Sequence, residues 1–157
     1  METAEIHLML NYYPLIGMVI GVLLLLIGLG LKSERVKRIS LAIFIATALI
    51  TLPAFVTGEI AGKAASFAEP RATALTIHKA SGRATMMVVE VTGILALIGL
   101  ILYRRKLDLA RWFVLAVLLL TLTSLGMLGY TTLLGRHIKW AIAGPSTVTT
   151  SDTKQLE

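Results

Sequence analysis

The chain contains four long apolar stretches, and they restrict its fold more than any other feature. They cover residues 8–31, 39–58, 84–103 and 112–135, and only the third contains a charged residue. A bilayer core about 30 Å thick is crossed by about 20 apolar residues in a helix. Strands are not expected, because the stretches are continuous and do not alternate with a period of two. The sequence therefore predicts an all-α fold, an integral membrane four-helix bundle.

The composition supports this class and excludes several chemistries. Apolar residues make up 56% and charged residues 15% of the chain, whereas soluble domains have about 45–50% and about 25%. Cysteine is absent, which excludes disulfides, thiolate metal sites and cysteine nucleophiles. The sequence has no Gly-rich phosphate loop, His-Glu-x-x-His run or nucleophile elbow. It predicts a non-catalytic or electron-transfer subunit more than an enzyme.

The basic residues predict how the chain is oriented. The formal charge is +6, and both short loops between stretches, 32–38 and 104–111, are rich in Lys and Arg. Such loops favour the cytoplasm. We therefore expect a multi-pass protein of the cell inner membrane, with both termini on the non-cytoplasmic side. The expected partners are the lipid bilayer and other subunits of a membrane complex, not nucleic acid.

The chain divides into a bundle, residues 1–143, and a polar flexible tail, residues 144–157. The tail is rich in Pro, Ser and Thr and has no apolar period. The one sizeable connection, 59–83, has a composition that suits helix. Because Pro favours the first turn of a helix, a helix is expected to start near Pro70 and run into the third stretch.

Three histidines, His7, His78 and His137, flank apolar stretches on the same predicted side. In an antiparallel bundle these ends lie together, and imidazole is a common metal ligand. The histidines are therefore candidate ligands of a metal ion or of haem b. The alternative is that each is an ordinary polar residue at the membrane interface.

Other candidate site residues are Glu90, Glu59 and Gly82. Glu90 is the single intramembrane charge, which is a functional signal by default; it could be protonated, ion-paired or a proton relay. Glu59 could pair with His78 or face water. Gly82 lies four residues after His78, on the same helical face, where it could admit a flat ligand or simply pack against a helix.

Two prolines lie toward the same end as the histidines. Pro14 is in the first stretch and Pro53 is in the second. Because proline removes a helical hydrogen bond, kinks at these residues could open a pocket there. The alternative is that membrane helices tolerate proline without any site.

Short motifs resemble a family of small bacterial four-span membrane proteins, domain of unknown function 2231. The segment His7 to Pro14 resembles its opening motif, His-Pro-x-Leu-Val-His-Phe-Pro, with Leu8 and Tyr12 in place of the second residue and the second histidine. Thr57-Gly58-Glu59-Ile60-Ala61 resembles its Thr-Gly-x-x-Ala motif. His78 matches a histidine that opens the third span, and residues 129–135 resemble the glycine-bearing end of the fourth. The resemblance implies haem or metal at the histidines, with His7 and His78 as the better pair and His137 as the alternate.

Three functions follow from these residues. The first is a b-type haem or metal-binding subunit that acts in electron transport within a larger membrane complex. The second is a haem-free structural or assembly subunit of such a complex. The third is a small proton-coupled transporter that uses Glu90. An absorption spectrum separates the first from the other two.

Overall fold

In the computed structural model, which describes residues 3–64, 71–105 and 110–142, the chain is all-helical, and no strand occurs in these residues. Its five helices are α1 Thr3–Leu10, α2 Tyr12–Gly30, α3 Glu34–Ala64, α4 Arg71–Arg104 and α5 Arg111–Ile142. The all-α prediction is confirmed. The expected tail, 144–157, lies outside the described residues.

Among the described residues, four segments are long and apolar enough to cross a membrane: Ile6–Gly30, Glu34–Lys63, Ala72–Arg104 and Arg111–Arg136. They agree with the four predicted stretches, and the second and third are longer than expected. The described part of α4 starts at Arg71 and continues through His78. The prediction of one helix from near Pro70 into the third stretch is therefore confirmed.

The helices form an antiparallel four-helix bundle, in which α1 and α2 together occupy one position. Each long helix packs against its neighbours in sequence, and α2 also packs against α5, which closes the ring. Small residues allow α2 and α3 to approach closely, since Gly17 lies against Thr47 and Gly21 against Phe44. The core includes Met18, Phe44 and Val89, all 0% exposed.

Pro14 explains why α1 and α2 are separate helices. Proline has no N–H, and its ring collides with the carbonyl four residues earlier, which here belongs to Leu10. The α1 helix ends at Leu10, and Pro14 lies in the first turn of α2, where proline is tolerated. Asn11, between the two helices, keeps helical backbone angles, and α1 packs against α3 as well as α2. Pro53, in contrast, lies inside an uninterrupted α3.

The outward surface of the bundle is apolar. Large hydrophobic side chains are widely exposed, including Trp112 at 71% and Leu119 at 66%. Soluble monomers rarely expose continuous apolar surface of this kind. The buried interior contains hydroxyl residues as well as apolar ones, among them Ser40, Thr92, Thr121 and Ser124. This pattern, apolar outside with hydroxyls between helices, is typical of helices packed in lipid.

Candidate histidine site

His7 and His78 meet at the end of the bundle where α1 packs against α3. Their ring centroids are 6.5 Å apart, and the ring planes are inclined by 72°. Helix α1 positions His7, because it packs against α3, whose C-terminal half contains Ala54 and Gly58. The unbroken first turns of α4 position His78. The prediction that these two rings approach one another is confirmed.

The tautomer of His7 is fixed by a backbone hydrogen bond. Its Nδ1 lies 2.8 Å from the Ala54 carbonyl oxygen. A carbonyl oxygen only accepts hydrogen bonds, so Nδ1 carries the proton and donates it. In the neutral ring the lone pair is then on Nε2. Histidines that bind metals commonly have this arrangement, with one ring nitrogen donating to a carbonyl and the other facing the ion.

Two glycines make room for the two imidazole rings. A methyl group added to Gly58 would lie 2.7 Å from Cε1 of His7 and 3.0 Å from its Nδ1. A methyl group added to Gly135 would lie 3.1 Å from Cε1 of His78. Each ring therefore packs directly on helical backbone, His7 on α3 and His78 on α5. Any larger residue at Gly58 would push His7 away from Ala54.

His78 presents a buried nitrogen with unused bonding capacity. Its Nδ1 is inaccessible to solvent and has no hydrogen-bond partner in the described part of the chain. The backbone of Thr131 lies close to the same imidazole. Buried polar atoms in proteins are almost always satisfied. An unpaired Nδ1 beside a second imidazole is therefore a candidate ligand atom.

The ring centroids lie close enough for both imidazoles to bind one metal ion. Metal–nitrogen bonds of about 2.0–2.1 Å on both sides of an ion place the two imidazole centroids about 6 Å apart. The observed separation is 6.5 Å. The described residues contain no group of three or more His, Asp or Glu side chains that could hold a metal ion. The described site therefore offers two imidazoles and no third ligand of these types.

His137 was the third predicted member of this site. It lies within α5, two residues after Gly135, but its side chain is outside the described residues. Its helix therefore brings it to the same end of the bundle as His78. Its part in the site remains a prediction.

Hydroxyl groups link α4 to α5 below His78. Thr131 Oγ1 lies 2.7 Å from the Ser81 hydroxyl and 2.9 Å from the Thr85 hydroxyl. Deeper in the bundle, Thr92 Oγ1 lies 3.1 Å from the Ser124 hydroxyl. These bonds hold α4 in register with α5 and so fix where His78 meets Gly135. The sequence analysis did not identify Ser81, Thr85 or Thr131, although all three lie on faces near the predicted histidine site.

Glu59 does not pair with His78, and that alternative of the sequence analysis is wrong. Its carboxylate oxygens lie 3.6 Å from Lys79 Nζ and 3.5 Å from an Arg83 guanidinium nitrogen. The two cations of α4 attract this carboxylate more strongly than a neutral imidazole does, and both lie within its reach. Glu59 thus links α3 to α4 beside the histidines.

Gly82 packs between helices and does not face the histidine rings. The nearest side-chain atom to a methyl group added there would be Thr131 Cγ2, at 4.0 Å. The kink expected at Pro53 does not interrupt α3, which continues through this residue. A small cavity lies at the opposite end of the bundle, between Leu25, Tyr103 and Val117.

Glu90 lies in α4, away from the histidine pair. It is half-buried, and its Oε1 is covered without a hydrogen-bond partner among the described residues. The nearby hydroxyls of α5 bond elsewhere. Thr121 and Thr123 donate to carbonyls of their own helix, and Ser124 bonds to Thr92.

No family model, curated protein or solved structure matches this chain. The resemblance to domain of unknown function 2231 therefore stays a prediction from short motifs.

Proposed function

We propose that the protein is an integral membrane subunit that binds one metal centre through His7 and His78 and transfers electrons within a larger membrane complex. The observation that carries the proposal is the pair of imidazoles with centroids 6.5 Å apart. It is supported by the tautomer of His7, whose Nδ1 donates to Ala54. The buried, unpaired Nδ1 of His78 supports it further.

The number of ligands favours haem b over a structural metal ion. A structural zinc site needs four protein ligands, whereas the described residues supply two imidazoles here. A haem iron takes only its axial ligands from the protein, and histidine is a common one. In this protein His7 and His78 would be those ligands. The bound iron would supply one-electron redox chemistry, and Ala54 would orient the His7 ring.

The bundle is proposed to lie in the inner membrane with the histidine site toward the non-cytoplasmic face. Four segments are long and apolar enough to cross a membrane. The loops at the other end, around residues 32–38 and 104–111, contain the dense groups of Lys and Arg that favour the cytoplasm. The two histidines are thus close to the aqueous phase on the side where an electron-transfer partner would dock.

The test is an absorption spectrum of the protein purified from membranes, together with its histidine variants. We expect a Soret band in the parent protein and its loss in His78→Ala and in His7→Ala. Both variants should still insert, because the apolar segments drive insertion. His137→Ala is the matched control, since it removes a histidine from the same end of the bundle and should keep the band.

Two results would overturn this proposal. A parent protein without a Soret band and without stoichiometric metal would favour the haem-free structural or assembly subunit. A spectrum that is unchanged in His78→Ala but lost in His137→Ala would assign the ligand pair to His7 and His137.

A further inference from the structure

The net positive charge of the chain belongs to the end of the bundle opposite the histidines. The two segments that connect helices there, 32–38 and 104–111, contain eight Lys and Arg residues and two carboxylates. Their net charge of +6 equals the formal net charge of the whole chain. Near the histidines, in contrast, Glu59 lies within ion-pair distance of both Lys79 and Arg83. The excess charge at the opposite end has to be balanced from outside the chain.

Four arginines of this end lie around the contact between α3 and α4, and we call them the arginine cluster. The guanidinium carbon of Arg38 lies 5.0 Å from the centre of the Tyr103 ring, so the first turns of α3 meet the last turn of α4. Arg35 precedes Arg38 by one turn. Arg104 and Arg105 follow Tyr103 directly. All four arginines are exposed, and none forms an ion pair with a described residue. Like charges that lie close together repel one another, and a bound anion relieves this repulsion.

The surroundings of Arg38 prepare the arginine cluster for an anion. Tyr103 is only 5% exposed, so Arg38 interacts with a ring that the bundle itself holds in place. Glu34 is the only carboxylate among the described residues of this end, and it lies 2.7 Å from Lys37. Its negative charge is therefore already engaged by a lysine. Guanidinium groups bind phosphate through paired N–H donors, which makes a phosphate group the best-matched anion.

Exposed apolar side chains continue the same helical faces toward the middle of the bundle. Ile39 lies one turn after Arg35 in α3, and Ile101 lies one turn before Arg105 in α4. Their exposed fractions are 48% and 44%. A ligand of this surface thus meets guanidinium groups at one end and apolar side chains beyond them. A phospholipid has the same order, with a phosphate in its headgroup and acyl chains beneath it.

We infer that the arginine cluster binds an anionic phospholipid of the surrounding bilayer, with its phosphate at Arg38 and its acyl chains along Ile39 and Ile101. Basic pockets between membrane helices bind anionic headgroups in this way. The phosphate links the start of α3 to the end of α4, two helices that the chain connects only at the histidine end. The inference requires that the helices cross a bilayer, but it does not depend on the histidine pair.

Brominated lipids test this site in vesicles, because bromine quenches tryptophan fluorescence only at short range. The chain has two tryptophans, so the full-length variant Ile101→Trp, Trp112→Phe, Trp140→Phe has a single one beside the arginine cluster. Its vesicles mix phosphatidylcholine with phosphatidylglycerol, and either lipid carries the bromine. We expect phosphatidylglycerol to bind at this position about tenfold more strongly than phosphatidylcholine.

Two arginine variants in this background separate a site from a general surface charge. Arg38→Gln should lower the lipid preference about fivefold, because it removes the cation that lies over Tyr103. Arg111→Gln is the matched control, since it removes the same charge from the same end of the bundle. Arg111 starts α5, which does not pack on α3 in the described part of the chain, and its variant should keep the parent preference. His7→Ala and His78→Ala should also keep it, which separates this inference from the metal site.

Three results would overturn the inference. One is equal binding of the two lipids at the Ile101→Trp position. Another is a loss of preference in Arg111→Gln as large as that in Arg38→Gln, which would assign the effect to the surface charge of the whole end. The third is an acidic subunit that copurifies with the parent protein and is released by Arg38→Gln, which would assign the arginine cluster to that subunit.

Discussion

Replacing Gly58 with alanine tests the histidine site through its packing, without removing any ligand atom. The added methyl group would lie 2.7 Å from Cε1, 3.0 Å from Nδ1 and 3.2 Å from Nε2 of His7. No side chain fits at these distances, so the His7 ring must move away from α3. The hydrogen bond from His7 to Ala54, 2.8 Å long, should then be lost.

The expected size of the effect follows from three contributions. Overpacking costs about 1–3 kcal/mol, and a lost hydrogen bond costs about 0.5–1.5 kcal/mol. Alanine in place of a helical glycine stabilises the helix by about 1 kcal/mol. The free energy that docks α1 on α3 should therefore fall by roughly 0.5–3.5 kcal/mol. The control is Gly129→Ala, since no atom lies within 4 Å of its added methyl group; it should be neutral or stabilising by up to about 1 kcal/mol.

Nitrogen NMR of the imidazole rings tests this prediction, because it shows which ring nitrogen of His7 is protonated. In the parent protein the His7 ring should show a protonated Nδ1 and an unprotonated Nε2. In Gly58→Ala the ring should show the mixed tautomers of a solvated imidazole, and any Soret band should weaken. An unchanged His7 tautomer and unchanged thermal unfolding in Gly58→Ala would refute the proposed packing.

Three further predictions concern the rest of the bundle. A cysteine at Ser151 should react with an impermeant reagent from outside the cell, whereas one at Ser33 should be protected; the opposite pattern would reverse the topology. Thr131→Val removes the hydrogen bonds between Thr131 and the hydroxyls of Ser81 and Thr85, although Thr85 keeps its bond to the Ser81 carbonyl; it should lower the free energy of unfolding in detergent by about 1–3 kcal/mol, and an unchanged value would mean that these hydroxyls do not hold α4 to α5. Glu59→Gln should cost only about 0.2–1 kcal/mol at low salt and less at high salt, because its ion pairs are partly exposed; a larger or salt-independent loss would contradict this interpretation.

The helical bundle was predictable because its signal is long and redundant. Each apolar stretch is long enough to specify a helix, and short basic loops specify antiparallel neighbours. The approach of His7 to His78 followed from the same topology. The prediction of kinks was less successful, because the sequence alone does not distinguish the setting of Pro14 from that of Pro53. Pro14 lies in the first turn of a helix, where proline is tolerated, whereas Pro53 lies inside a helix that continues on both sides of it.

The details of the site depend on side-chain geometry that a sequence does not specify. Gly58 appeared only in a motif that resembles a family, and nothing in its spacing showed that His7 rests on it. Glu59 had His78 and solvent as apparent alternatives, but a cation on the next turn of α4 was within reach. Gly82 shares a helical face with His78, yet the partner that decides its role, Thr131, lies on another helix.

X-ray absorption at the iron edge, on the complex purified from membranes, tests the central claim most directly. If His7 and His78 hold a haem, the spectrum should contain contributions from two imidazole nitrogens in addition to those of the porphyrin. In the double variant His7→Ala, His78→Ala both imidazole contributions should disappear. The absence of iron from the purified protein, or axial imidazoles that persist in the double variant, would contradict the claim.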